Sequence, residues 1–304
     1  MLGVISHPAC RLHDPGPWHP DRPERLDAIQ NQIISSGLEF VIRHFDAPEA
    51  SRAALEAVHD PVYVARILAE APKTGMVEID GDTVMTPLTL AAARHAAGAV
   101  VLGVDLVMSG DACPVFCAVR PPGHHAERAR AMGFCLFNNV AVGARYALDH
   151  HDIERVAILD FDVHHGNGTE DIFRDDPRVL FCSSFQHPFY PWTGHDSQAS
   201  HLIGVPLPGG TDGAAFRAAI AERWLPALRS FRPNLILVSA GFDAHVLDEM
   251  SGLALREADY AWLTEQIMLV AREFAAGRVV SVLEGGYELG ALGRSVVAHL
   301  KEMI

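Results

Sequence analysis

"VAILDFDVHHGNGTE", residues 156–170, begins as an unbroken apolar run and ends in three acidic residues, two adjacent histidines and two glycines. The apolar part does not alternate with polar residues, so as a strand it is buried on both faces, as in a parallel sheet. The polar residues then fall at the strand's C-terminal end, the edge at which open α/β sheets bind ligands. Similar runs recur at 2–6 (LGVIS), 115–119 (VFCAV), 179–184 (VLFCSS), 235–241 (LILVSAG) and 279–286 (VVSVLEGG). Helical patterns separate them. In 86–110 Thr86 is the expected N-cap, Pro87 the first helical residue and Gly110 the stop; 213–231 and 256–277 read the same way, the latter stopping at Gly277. The expectation is a doubly wound, mainly parallel α/β sheet with helices on both faces, forming one domain over residues 1–304. Residues 183–213, rich in Pro, Gly and aromatics, read as one long functional loop, a channel wall or a contact with a second copy in a homo-oligomer.

Composition narrows the function. The net charge is −14 with histidines neutral, which argues against a sequence-independent grip on nucleic acid; it would favour cationic substrates, although taken alone it is more simply acidic solubility. Five cysteines contain no C-x-x-C pair, as expected of reduced thiols in a cytoplasmic protein. The N-terminus has no basic region leading into an apolar segment, and the apolar stretch around Ala96–Met108 reads as too short to span a bilayer. A soluble protein without membrane contact is expected.

Four apolar runs end in unusual polar sequences: Arg120-Pro-Pro-Gly-His124-His125, Asp160-Phe-Asp162-Val-His164, Phe242-Asp243, and Tyr287 after Glu-Gly-Gly. In a parallel sheet these converge on one edge, and that convergence weighs more than any one motif. Asp162 and His164, two apart, point to the same side of an extended segment. Alone they are more readily a buried ion pair in a loop; with Asp243 they form a two-carboxylate, one-histidine set with positions left open, as at catalytic Zn²⁺, though Fe²⁺ or Co²⁺ accept the same ligands. Either of His124 and His125 can act as general base if its far nitrogen meets an acceptor, for which Asp160 and Asn167 are the nearest candidates. His150-His151 sits where a helix ends and reads as structural. Tyr287 can donate to a developing oxyanion.

Together these residues resemble the histone deacetylase family, including the bacterial acetylpolyamine amidohydrolases. The matching motifs are HPDRPERL (19–26), RPPGHHA (120–126), GFCLFNNVAV (133–142), DFDVHHGNGTE (160–170), GFDAH (241–245) and EGGY (284–287), in the family's order and over nearly the whole chain. The resemblance implies the arginase/deacetylase fold and zinc-dependent hydrolysis of an N-acyl amide. It implies zinc on Asp162, His164 and Asp243, His125 as general base partnered by Asn167, His124 paired with Asp160 as electrostatic aid, and Tyr287 at the oxyanion. It further implies structural potassium at Asp160, Asp162, His164, Ser183 and Ser184, and a second potassium near Phe173, Asp176 and Val179. Asn167, where many class I members carry Asp, marks the chain as class II-like. The substrate channel is expected between Gly133–Phe134 and Tyr190, with Asp82 at the rim. Gly166 and His245 replace the aspartates that bind a second metal in arginase-type relatives, so one metal is expected. Met250 aligns where polyamine-selective members can carry a glutamate, with Glu249 beside it. The substrates implied are an acyl-lysine protein or peptide or, by the same mechanism, an acetylated polyamine. A catalytically silent acyl-lysine binder is disfavoured because every expected ligand and the tyrosine are present.

Overall fold

The non-alternating runs lie side by side in the computed structural model, which describes every residue except 198. The strands are β1 (Leu2–Ser6), β2 (Ile42–Asp46), β3 (Val77–Asp80), β4 (Thr83–Met85), β5 (Val115–Cys117), β6 (Val156–Asp160), β7 (Val179–Gln186), β8 (Leu202–Leu207), β9 (Leu235–Ala240) and β10 (Val279–Leu283). The helices are α1 (Pro8–Leu12), α2 (Glu24–Ser35), α3 (Arg52–Glu56), α4 (Pro61–Glu70), α5 (Thr89–Ser109), α6 (Asn139–His150), α7 (Asn167–Phe173), α8 (Gly213–Phe231), α9 (Glu257–Phe274) and α10 (Leu289–Met303). Eight strands form one sheet in the order β2-β1-β5-β10-β9-β6-β7-β8, and every neighbouring pair is parallel. β3 and β4 form a separate antiparallel hairpin.

The central four, β5, β10, β9 and β6, are buried along their whole length, which is why their sequences do not alternate. Each Val, Leu or Ile buried there contributes about 1.5–3 kcal/mol. Their C-terminal ends are level: Cys117 pairs Val282, Leu283 pairs Ala240, and Ser239 pairs Asp160. The four polar motifs of the sequence therefore leave the sheet along one stretch of one edge.

Helices flank the sheet: α5 packs on β1, β5 and β10, α6 on β6 and β9, and α8 on β7 and β8. Three expectations need correction. α5 begins at Thr89, not Pro87, because the Thr89 hydroxyl accepts the Thr86 N–H (2.8 Å) and pairs with buried His13 Nδ1 (2.8 Å), holding Thr86–Leu88 as a turn. At 21 residues α5 is also long and apolar enough to cross a membrane by length and composition; 61% of that apolar window is instead buried inside the protein. Residues 183–213 are not one irregular loop: they include the end of β7 and all of β8, an edge strand that tolerates Gly204 and Pro206.

Candidate active site

The loop after β5 is fixed before it presents its histidines. Buried Arg120 donates to Asp21 Oδ1 (2.6 Å) and to the main-chain oxygens of Asp21, Cys10 and His13. Three residues on, the N–H groups of Gly123 and His124 both donate to Glu284 Oε2 (2.7 and 3.2 Å), while Ser239 Oγ bonds Glu284 Oε1 (3.1 Å). One buried carboxylate thus joins the ends of β5, β9 and β10. Burial pushes Glu284 up to about 7 despite the nearby His124 and the Gly123 N–H.

His124 Nδ1 lies 2.9 Å from Asp160 Oδ2 and His125 Nδ1 2.7 Å from Asn167 Oδ1, so each histidine has the partner expected of it. Their chemistry differs. Burial alone would lower His124, but Asp160 and Asp162 raise it to about 10. Burial, joined by the neighbouring charges of His124 and His164, holds His125 well below its ordinary value. One ring is built to carry a proton and the other to remain neutral with a nitrogen open to the channel. His150 and His151 bond Tyr146 O and Asp105, at the end of α6 and outside this site.

Asp162, His164 and Asp243 offer three buried ligand atoms within 4.8 Å of one another. Each carboxylate is anchored by a main-chain donor: Gly285 N–H to Asp162 Oδ2 (2.8 Å) and Val163 N–H to Asp243 Oδ1 (2.9 Å). Asp243 Oδ2 is buried without a hydrogen bond, 3.2 Å from His164 Nδ1. Burial and then the charge of Asp162 raise Asp243 above its ordinary value, and against its own burial His164 is raised by the two carboxylates. The two carboxylates draw a proton onto the His164 ring between them, a positive charge that a bound cation would replace. A Cβ on Gly285 would sit 2.2 Å from Asp243 Oδ2, so the second residue of EGGY has to be glycine. At Gly166 a Cβ would lie 2.2 Å from Asp160 Oδ2, leaving no space for another carboxylate. His245 takes the Leu247 N–H and faces Glu257 at 3.4 Å, and it is not part of the cluster.

A cavity of about 290 Å³ leads to the cluster, lined by Asp82, Gly133, Phe134, Tyr190, Met250 and Tyr287 together with both histidines. All the expected channel residues are therefore brought together, and Phe189, stacked on His164 at 5.6 Å, joins them unforeseen. The β3–β4 hairpin shapes one wall. Asp82 accepts the Gly133 N–H (2.9 Å) and the Tyr190 hydroxyl (3.1 Å), and Thr83 Oγ1 accepts the Phe134 N–H (3.0 Å). These bonds hold Phe134 at φ +69°, a left-handed conformation unfavourable for an aromatic residue. Gly133 has no alternative, since a Cβ would lie 2.3 Å from the His125 ring.

On the opposite side Tyr287 donates its main-chain N–H to Asp248 Oδ2 (2.6 Å), and the Arg25 guanidinium lies over its ring at 4.9 Å. Arg25 also binds the carbonyls of Glu284 and Gly286 (2.5 and 2.7 Å). Burial holds the Tyr287 phenol well above its ordinary value against the pull of Arg25, so the hydroxyl keeps a proton to donate.

Of the residues expected to hold potassium, Ser184 Oγ is buried without a hydrogen-bond partner, whereas Ser183 Oγ pairs with His165 Nδ1 (2.9 Å). Around the second expected site, Phe173 O accepts from Asp176 N–H and His201 Nε2, and Asp176 O from Val179 N–H, in one tight turn.

Sheet, channel and polar cluster together define a deacetylase-type hydrolase, and comparison with known proteins agrees. Residues 19–303 match the histone deacetylase domain. The chain is 38% identical over 308 residues to histone deacetylase 14, chloroplastic, of Arabidopsis thaliana, covering 94% of this chain and 73% of that one. It is 36% identical over 302 residues to the human polyamine deacetylase HDAC10, covering 93% of this chain and 44% of that longer protein. Its structure superposes on the crystal structure of the HDA15 HD domain with a TM-score of 0.93 at 31% identity, covering 99% of this chain and 87% of that one. The chain belongs to the histone deacetylase family and has the arginase/deacetylase fold.

Proposed function

We propose that this protein is a zinc-dependent amidohydrolase that removes an acetyl or other acyl group from the side-chain amine of lysine. The observation that carries this reading is the buried Asp162–His164–Asp243 cluster, with its unbonded Asp243 oxygen, at the base of a narrow apolar channel beside His125 and Tyr287. Two carboxylates and one imidazole suit a catalytic Zn²⁺ with open positions, and these three residues would hold it. Zinc, when bound, acts as a Lewis acid toward the amide carbonyl and lowers the pKa of water.

The chain's own groups do the rest. The Phe134 and Tyr190 walls admit an extended alkyl stem and exclude bulk water from the amide. His125, neutral and with Nδ1 committed to Asn167, takes a proton from the attacking water at Nε2 and returns it to the leaving amine. His124 keeps its proton and offers a fixed positive charge. The Tyr287 hydroxyl donates to the carbonyl oxygen as it gains negative charge. Structural potassium would be held by Asp160, Asp162, His164, Ser183 and Ser184, where the unpartnered Ser184 hydroxyl supports it, with a second ion at the Phe173, Asp176 and Val179 turn. Five free cysteines suit a cytoplasmic setting.

A second reading, hydrolysis of acetylated polyamines, is supported by the relative named a polyamine deacetylase and by the net charge of −14. The channel wall favours the first: Met250 lines it, while Glu249 lines a neighbouring depression beside Glu288. Zinc-loaded protein should therefore show a higher kcat/KM for an acetyl-lysyl peptide than for N-acetylputrescine. The reverse order would transfer the assignment to polyamines, and no turnover of either would remove it.

A further inference from the structure

A side-chain amide has an acceptor on one side and a donor on the other, and half a turn exchanges them. Which side of Asn167 meets His125 therefore decides where the neutral imidazole carries its proton. Asn167 Oδ1 faces His125 Nδ1 at 2.7 Å, and Asn167 Nδ2 donates to Glu127 Oε1 at 2.7 Å. The other contacts of Nδ2, to Met132 Sδ (3.3 Å) and His125 O (3.5 Å), are weaker. A carboxylate only accepts. Turning the amide over would set two oxygens against each other at Glu127 and present an N–H to His125 Nδ1. The ring proton would then move to Nε2, the nitrogen that has to be free.

We propose that Glu127 is a positioning residue that, through the Asn167 amide, fixes His125 in the tautomer with Nδ1 protonated and Nε2 open. The inference rests on His125 being the base of the reaction proposed above. Glu127 is itself held: its N–H donates to Arg130 O (2.9 Å), and its carbonyl accepts from His59 Nδ1 (2.8 Å). His59 has its own tautomer set in the same way, because the Asn138 N–H donates to its Nε2 (3.0 Å). The sequence hides this arrangement, since Glu127 and Asn167 lie 40 residues apart.

The test uses the zinc-loaded full chain with ¹⁵N-labelled histidine. Glu127 is partly exposed, so Glu127→Ala removes little packing. The variant is expected to lose about 10–100-fold in kcat on the acetyl-lysyl peptide, with KM and zinc content unchanged. Its ¹⁵N spectrum should show a His125 Nε2–H signal that the wild type lacks. In an Asn167→Asp background the same change should cost nothing, because a carboxylate accepts from Nδ1 either way round. A single unchanged tautomer in Glu127→Ala, or the same loss in both backgrounds, would overturn the proposal. An inactive wild type in which Glu127→Ala still shifts the tautomer would support the positioning role and reject the deacetylase reading instead.

Discussion

Asp243 is a buried carboxylate with one oxygen tied to the main chain and the other without a hydrogen bond, 3.2 Å from the His164 ring nitrogen, an arrangement that a cation shared by the two side chains would satisfy. Asp243→Ala is therefore expected to abolish zinc retention along with activity, measured as metal content after dialysis. A variant that keeps zinc would show that the ligand set is wrong. Tyr287 stands apart from this cluster, so Tyr287→Phe should lower kcat by about 10²–10³-fold while zinc content stays at the wild-type level. Unchanged kcat would remove its role at the oxyanion. These residues were legible because aspartate, histidine and tyrosine are rare at the ends of buried strands. Glu284 and Glu127 carry no such mark in the sequence. Glu284 works mainly through main-chain N–H groups, and Glu127 through an amide distant in sequence, so neither leaves a residue-type signature.

The elements were read from periodicity, and periodicity worked where burial is two-sided. β5, β6, β9 and β10 announce themselves as apolar runs, and α8 ends at Phe231 as its sequence says, whereas α9 stops at Phe274, three residues short of the expected stop at Gly277. It failed at the sheet's margins. β2 and β8 are half-exposed edge strands whose pattern is set by what covers them, not by an intrinsic run. α5 starts three residues after the N-cap expected at Thr86 because the Thr89 hydroxyl takes the Thr86 N–H. α5 also contains Gly98, where a Cβ would fall 1.9 Å from Pro48 O. Alanine favours a helix over glycine by about 1 kcal/mol. Overpacking against fixed backbone costs about 1–3 kcal/mol or more, so Gly98→Ala should lower Tm. A raised Tm would mean that the 47–50 segment moves aside freely.

Across the protein, one sheet edge gathers residues from four distant segments, and the core holds histidines in their neutral form. Burial pushes His299 down to about 3 and His59 to about 4, from an ordinary value of 6.5. The unfolded chain takes up those protons first. The stability they confer is thus complete above pH 6.5 and declines as the pH falls toward the folded values, by about 1.4 kcal/mol per pH unit for each group. His299 bridges Thr264 and Ser281, so His299→Gln should be less stable than wild type at pH 7.5 yet lose less stability on going to pH 5. Parallel losses in denaturant midpoint for the two proteins would contradict this.

If Asp162, His164 and Asp243 hold the ion that makes this protein a hydrolase, activity has to follow metal removal and reconstitution. Hydrolysis of an acetyl-lysyl peptide should stop once chelation has stripped the protein and return in proportion to added Zn²⁺, saturating at about one ion per chain, as expected for a single three-residue ligand cluster. Hydrolysis that persists in metal-free protein would mean that the reaction does not use zinc.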